Sequence, residues 1–265
     1  MLIEFSKYSG CGNDFILIDN RSLMFPVDQA PLVRQLCDRH KGIGADGVVL
    51  LEESKQAHFK MRIFNSDGSE AEMCGNGIRC LLKFIHECEI PGNDFNIETS
   101  SKTLNVSLDQ NYVAVEMGDP SQIQWNLDIE SWKVHHLDTG VPHAIVFTDT
   151  LEDLNIKELG SQIRFHAHFS PRGANANFAQ LDPHGIIHVR TYERGVEEET
   201  LACGTGATAT ALAAAHIYGL QAPLSVRVKS GDLLKIDFRP AKDGGFTDVR
   251  LIGSAKHIFK GVIEI

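Results

Sequence analysis

The chain has 265 residues and a formal net charge of −10, long enough for one large domain or two medium ones, each able to bury a core. That acidity argues against a polyanion such as nucleic acid as partner, because such binding depends on clustered Lys and Arg. No apolar run approaches the length of a membrane span, and six cysteines without a C-x-x-C pair give neither a zinc ribbon nor a thioredoxin-type site.

MLIEFSKYSG lacks the basic-then-apolar pattern of an export signal, so a cytoplasmic protein with cysteines as thiols is expected. DFILIDN (14–20) is a strand candidate and APLVRQLCDRH (30–40) a helix candidate. GVVLLEE (47–53) and HFKMRIFN (58–65) are further strands. The second alternates Phe59, Met61 and Ile63 with Lys60 and Arg62, the period of a half-buried strand. CGNG (74–77) opens a predicted helix over 75–88, and strands follow at FNIETS and YVAVEMG. Gly118-Asp119-Pro120 is a turn-forming cluster. Beyond it come a strand at HAIVFTD, a helix over roughly 151–166 and a strand at GIIHVRTYE. CGTG (203–206) then opens a helix over 204–218, and LSVRVKSG, LLKIDF and HIFKGVIEI close the chain as strands. The stretch ATATALAAAHIY carries no Asp, Glu, Lys or Arg on any face, so protein should surround it.

The two Cys-Gly motifs lie almost half the chain length apart, each after a strand and an acidic loop. This implies an internal duplication. The expected fold is α+β: two pseudo-symmetric domains, each a curled, mostly antiparallel sheet around a central helix. The expected bounds are 1–117 and 118–252, with a last strand at 253–265 returning to the first half.

A cysteine at a helix start has a specific chemistry. The first N–H groups of a helix have no internal acceptor, and the dipole makes that end positive, so a carboxylate is well placed there. Glycines beside the cysteine let a ligand approach the backbone, and the same field favours thiolate over thiol. Two such ends facing one α-carbon from opposite sides would invert it: a thiolate removes the proton from one face and a thiol delivers one to the other. Cys74 and Cys203 are the candidates. Cys37, Cys80 and Cys88 lie in apolar helical patterns and are assigned to packing. Cys11 also precedes Gly, but a strand follows it. His166-Ala167-His168 is a weak metal signal without a third ligand at matching distance, so no metal is expected.

Together with their flanks, these segments resemble the diaminopimelate epimerase family. The matching stretches are YSGCGNDFILID, RHKGIGADG, RIFNSDGSEAEMCGNGIRC, ETSSKTL, GVPHAIVF, RGANANFAQ, TYERGVEEETLACGTGATATA and HIFKGVIEI, in order from end to end. The resemblance implies a cofactor-independent epimerase of lysine and peptidoglycan precursor synthesis, acting on a small amino-acid substrate as a homodimer. It makes Cys74 and Cys203 the catalytic acid and base. Gly75, Asn76, Gly204 and Thr205 become the backbone that holds the reacting carboxylate. It assigns Asn13, Asn65, Asn175, Glu193 and Arg194 to the rest of the substrate, and makes His143 and Glu193 tuners of the thiol pKa values. Proline racemase and hydroxyproline epimerase share the two-cysteine logic and are the alternative. Three departures bear on specificity. Gly47 stands where the family often has Gln, and Val141 where it usually has Asn. The Glu193–Cys203 loop is one residue longer. Weak racemisation of glutamate is the expected consequence.

Overall fold

The computed structural model describes residues 2–26, 28, 30–71, 74–242 and 244–265. In chain order the elements are β1 (Leu2–Gly10), β2 (Asn13–Asp19), α1 (Ala30–Cys37), β3 (Gly47–Glu53), β4 (Phe59–Asn65), β5 (Glu70–Ala71), α2 (Gly75–Glu87), β6 (Asp94–Glu98), β7 (Thr103–Asp109) and β8 (Tyr112–Glu116). There follow β9 (Ser121–Ile129), β10 (Trp132–Asp138), β11 (Pro142–Phe147), α3 (Ile156–Arg164), β12 (Asn175–Leu181), β13 (Ile186–Glu193) and β14 (Glu198–Thr200). The chain ends with α4 (Gly204–Tyr218), β15 (Leu224–Arg227), β16 (Leu233–Pro240), β17 (Phe246–Ser254) and β18 (Lys256–Glu264).

These elements form two compact units, 1–115 with 253–265, and 116–252. In the first, the strand order is β18-β1-β2-β3-β4-β6-β7-β8, with short β5 also on β4. In the second it is β9-β10-β11-β12-β13-β15-β16-β17, with short β14 also on β13. The sense of every pairing matches between the two. Among the described residues the parallel pairs within the units are β2–β3 and β4–β6 in one, β11–β12 and β13–β15 in the other. Each parallel step is crossed by one α-helix, the usual form of such a connection. The duplicated motif is thus a duplicated topology. The C-terminal β18 occupies in the first unit the place that β9 occupies in the second.

Each sheet packs one face on the helix after its short strand. α2 touches β1, β2, β3, β4, β7 and β18, and α4 touches β10, β11, β12, β13, β15 and β16. Every residue of α4 from Gly206 to Ala215 is buried, which accounts for its uncharged sequence. The other faces are covered by α1, through Val33 and Leu36 against Ile16 and Val48, and by α3, through Ile156 and Ile163 against Val146 and Phe178. The expected α+β class holds; two helix bounds do not. The helix predicted over 30–40 stops at Cys37, because the Asp38 carboxylate accepts from the His40 and Lys41 amides and turns the chain. The one over 151–166 is broken at Asn155, whose side chain caps α3 through the Glu158 amide. Among the described residues no helix is long and apolar enough to cross a membrane.

Candidate active site

Cys74 and Cys203 are the N-caps of α2 and α4, both with extended backbone. The Gly77 amide donates to Cys74 Sγ at 3.4 Å, and Cys203 Sγ lies 3.4 Å from Thr205 Oγ1. Cys74 is half-buried; Cys203 is 7 % exposed. The glycines of the two motifs divide into two kinds. A Cβ on Gly206 would stand 2.4 Å from Asn177 Oδ1, and one on Gly77 would stand 3.1 Å from Ile63 Cδ1, so the fourth motif position is a glycine for packing. Among the described residues, a Cβ on Gly75 would meet nothing within 4 Å beyond its own helix turn and chain neighbours, and one on Gly204 only Leu251 Cδ2 at 3.4 Å. Packing does not demand a glycine there. What these residues offer is bare backbone at the positive end of a helix.

In the first unit, Asn76 Nδ2 donates to Asn13 Oδ1 at 2.7 Å, and Asn13 Nδ2 donates to Asp46 Oδ2 at 3.0 Å. Asn65 is exposed at the end of β4, with its amide on Ser69 Oγ at 3.0 Å. Gly47, opposite it in the β3–β4 ladder, has no room for a side chain, since a Cβ would lie 2.5 Å from the Phe64 carbonyl.

In the second unit, parallel β11 and β12 set His143 beside Asn175. The Arg194 amide donates to Asn175 Oδ1 at 2.7 Å, and Arg194 Nη1 to the Arg172 carbonyl at 3.3 Å. Burial pushes the Glu193 carboxyl upward. Thr139 Oγ1 donates to the Thr205 carbonyl at 3.0 Å. Val141 is half-buried in the β10–β11 turn.

His143 is fully buried, and burial holds its pKa down at about 3, so the ring is neutral at working pH. Its Nδ1 is 3.1 Å from Asn177 Nδ2. That Asn177 atom also faces the Ala144 and Asn175 carbonyls, while Asn177 Oδ1 accepts from Thr191 Oγ1 at 2.9 Å. Nδ2 is therefore the amide's donor end, and Nδ1 of the imidazole must accept. The ring proton sits on Nε2, a buried donor with no acceptor among the described residues. What His143 has to offer a ligand or neighbour is therefore one N–H and no charge.

This neutral histidine gives a pH expectation. Its folded pKa of about 3 lies below its ordinary 6.5, so unfolding takes up a proton between these values and stability falls as pH falls. The slope is about 1.4 kcal/mol per pH unit for each such group. His135, held at about 4 by burial, adds to it over a narrower window. Urea midpoints measured from pH 6.5 down to about 4 should drop, and His143→Gln should flatten that drop. An unchanged slope in the variant would show that His143 is already protonated in the fold.

Sequence reasoning passed over Asn177 and Arg79. Asn177 stands two residues from Asn175 on the same face of β12, a spacing that could have flagged it. His166 Nδ1 accepts from the His168 amide at 3.2 Å, and His168 Nε2 meets Gln124 Oε1 at 3.0 Å. Among the described residues no group of three or more His, Cys, Asp or Glu is arranged to hold a metal ion.

The profile of the family described as diaminopimelate epimerase matches residues 5–123 and 136–246. A diaminopimelate epimerase of Hydrogenobaculum is 40 % identical over 98 % of both chains, and one of Aquifex aeolicus is 41 % identical over 98 % of this chain and 97 % of its own. Among solved structures, a PhzF-family phenazine biosynthesis protein of Bacillus anthracis superimposes with a TM-score of 0.78 over 100 % of both chains at 15 % identity, a likeness of fold alone. With the family profile and full-length relatives in agreement, the chain belongs to the diaminopimelate epimerase family.

Proposed function

We propose that this protein is an isomerase that interconverts LL- and meso-diaminopimelate, with Cys74 and Cys203 as a two-base pair. The observation that carries the reading is the repeated cysteine cap followed by a glycine that packing does not require. One sulfur, as thiolate, takes the α-proton; the other, as thiol, gives its proton to the opposite face. The amides of Gly75 and Asn76 and those of Gly204 and Thr205 hold the α-carboxylate and stabilise the charge that builds on it in the enolate-like transition state. After turnover the two sulfurs have exchanged protonation states, so both must titrate near working pH. Glu193 and the Nε2–H of His143 tune them. Asn13, Asn65, Asn175, Glu193 and Arg194 hold the remaining groups of the amino acid. This proton transfer requires neither cofactor nor metal. The working form is a cytoplasmic homodimer that supplies lysine and peptidoglycan precursors.

Incubation of the reduced protein with LL-diaminopimelate in deuterated water, followed by mass, tests the reading. The meso product should carry one α-deuterium while the remaining LL pool stays protonated early in the reaction. Product formed without deuterium would mean that one base returns the same proton.

Val141 gives the expectation on substrate range. An apolar side chain cannot pair with a polar substrate group, so an analogue lacking that group strands no buried partner and is less strongly rejected. α-Proton exchange on glutamate should exceed a Cys74→Ala blank and should fall in Val141→Asn. The lost contact is worth on the order of 1.5–3 kcal/mol. Exchange no higher than the blank would show that selectivity is strict.

A further inference from the structure

Arg79, in the second turn of α2, is completely buried, and its donors are distributed over four acceptors. Nε donates to the Ser254 carbonyl at 3.5 Å and Nη1 to the Gly75 carbonyl at 3.1 Å; Nη2 donates to Asn76 Oδ1 at 2.7 Å and to Cys11 Sγ at 3.0 Å. None of these acceptors is a carboxylate. A guanidinium has donors only, so the end of the Asn76 amide that faces it is the oxygen. The Asn76 nitrogen must then point at Asn13, and the Asn13 atom that receives it must be its oxygen. The Asn13 nitrogen is thereby turned to Asp46, an acceptor whose other oxygen is held by Arg39 at 2.8 Å. The relay has a pure donor at one end and a pure acceptor at the other. Neither amide between them can flip without opposing donor to donor or acceptor to acceptor.

The same guanidinium fixes where Asn13 stands. Gly10 pairs with Asn13 across the β1–β2 hairpin, so Cys11 and Gly12 form a two-residue turn with φ of 53° and 86°. Positive φ at both positions is what such a turn needs, and cysteine adopts it less readily than Gly or Asn. The bond from Arg79 to Cys11 Sγ holds the side chain of the unfavoured residue and with it the tip that carries Asn13.

We propose that Arg79 is a positioning residue that fixes the location and the hydrogen-bonding polarity of Asn13 and Asn76 toward the substrate. The inference rests on the reading of the Cys74 helix start as half of the active site. Among the described residues the relay leaves one donor hydrogen on each amide, so both present N–H to an anionic group of the ligand.

The test is kinetic. Arg79→Lys keeps the charge but cannot satisfy Asn76, Gly75 and Cys11 in a fixed fork. KM for diaminopimelate should rise about tenfold or more with kcat within about threefold, because contacts equal in ground and transition state are lost. A merely structural role would reduce the folded fraction, lowering kcat and leaving KM unchanged. Asp46→Asn can still accept from Asn13 and alone should change KM less than about twofold, yet combined with Arg79→Lys it should cost more than the product of the two. Additive effects, or a loss confined to kcat, would overturn the proposal. Arg79→Met replaces the lysine variant if that does not fold. In the wild type, the amide proton of Asn13 and of Asn76 that is bonded within the relay should be protected from exchange by NMR; absence of protection at both would overturn it too. Asn13→Ala separates the two levels. If that change leaves KM untouched, the site reading fails. If it raises KM while Arg79→Lys does not, only the positioning role fails.

Discussion

Replacing Cys74 or Cys203 by Ala should reduce epimerisation roughly 10³-fold or more, since on the two-base reading each variant lacks a group that must make or break a bond to the reacting proton. The two losses should be about equal and should not multiply in the double variant, because a lone acid or a lone base cannot complete an inversion. Stability should hardly change. Cys74 is half-buried, and the capping bond that its sulfur accepts from the Gly77 amide is a weak N–H···S contact. Cys203 is more enclosed, so its alanine variant should show the larger, still modest, shift in unfolding midpoint. Chromatographic separation of LL- and meso-diaminopimelate gives the rates, and calorimetry the midpoints. Turnover near wild type in either variant would remove the two-base mechanism, and a collapse of the melting transition would make the loss uninformative.

Much of this fold is written in local pattern. The alternation in β4 and the uncharged run of α4 both read directly as a half-buried strand and an enclosed helix, because burial on one face or on all faces leaves its mark on composition. The two Cys-Gly motifs gave the repeat, and the matched strand pairings of the two units are its structural form. Helix ends were harder to read. Asp38 and Asn155 stop helices by side-chain bonds to nearby amides, a competition that hydrophobic period cannot register. The polar relay was not legible at all. Arg79 sits in an apolar helix and reads as a surface residue by type, yet two of its four acceptors, on Cys11 and Ser254, lie far away in sequence. Charge type predicts exposure on average, and a buried arginine shows itself only once tertiary structure supplies its acceptors. The tautomer of His143 is of the same kind, because it follows from Asn177 and Thr191 on neighbouring strands.

The glycines allow stability and function to be separated by single methyl groups. Gly206→Ala should destabilise the second unit. Its Cβ would stand 2.4 Å from Asn177 Oδ1, far inside contact distance, and Asn177 cannot retreat because it is buried and bonded to Thr191 and His143. Overpacking of about 1–3 kcal/mol and a strained buried hydrogen bond together predict a melting midpoint lower by roughly 5–10 °C. Gly77→Ala should do less, since its obstacle at 3.1 Å is the terminal methyl of Ile63, which can give way. Gly75→Ala should behave in the opposite manner. Among the described residues, nothing beyond its own helix turn and chain neighbours lies within 4 Å of its Cβ, and alanine is the better helix former by up to about 1 kcal/mol, so the midpoint should hold or rise. Activity should nevertheless fall roughly 10–100-fold, because a methyl group on the bare backbone displaces the carboxylate that the reading places there, and a misplacement of about 1 Å is enough for such a loss. Gly204→Ala should follow Gly75→Ala, with only an ordinary contact to Leu251 at 3.4 Å. Melting curves and kcat/KM on the four variants decide the matter. Wild-type kinetics in both Gly75→Ala and Gly204→Ala would mean that no ligand approaches either helix start, and the carboxylate clamp would have to be abandoned.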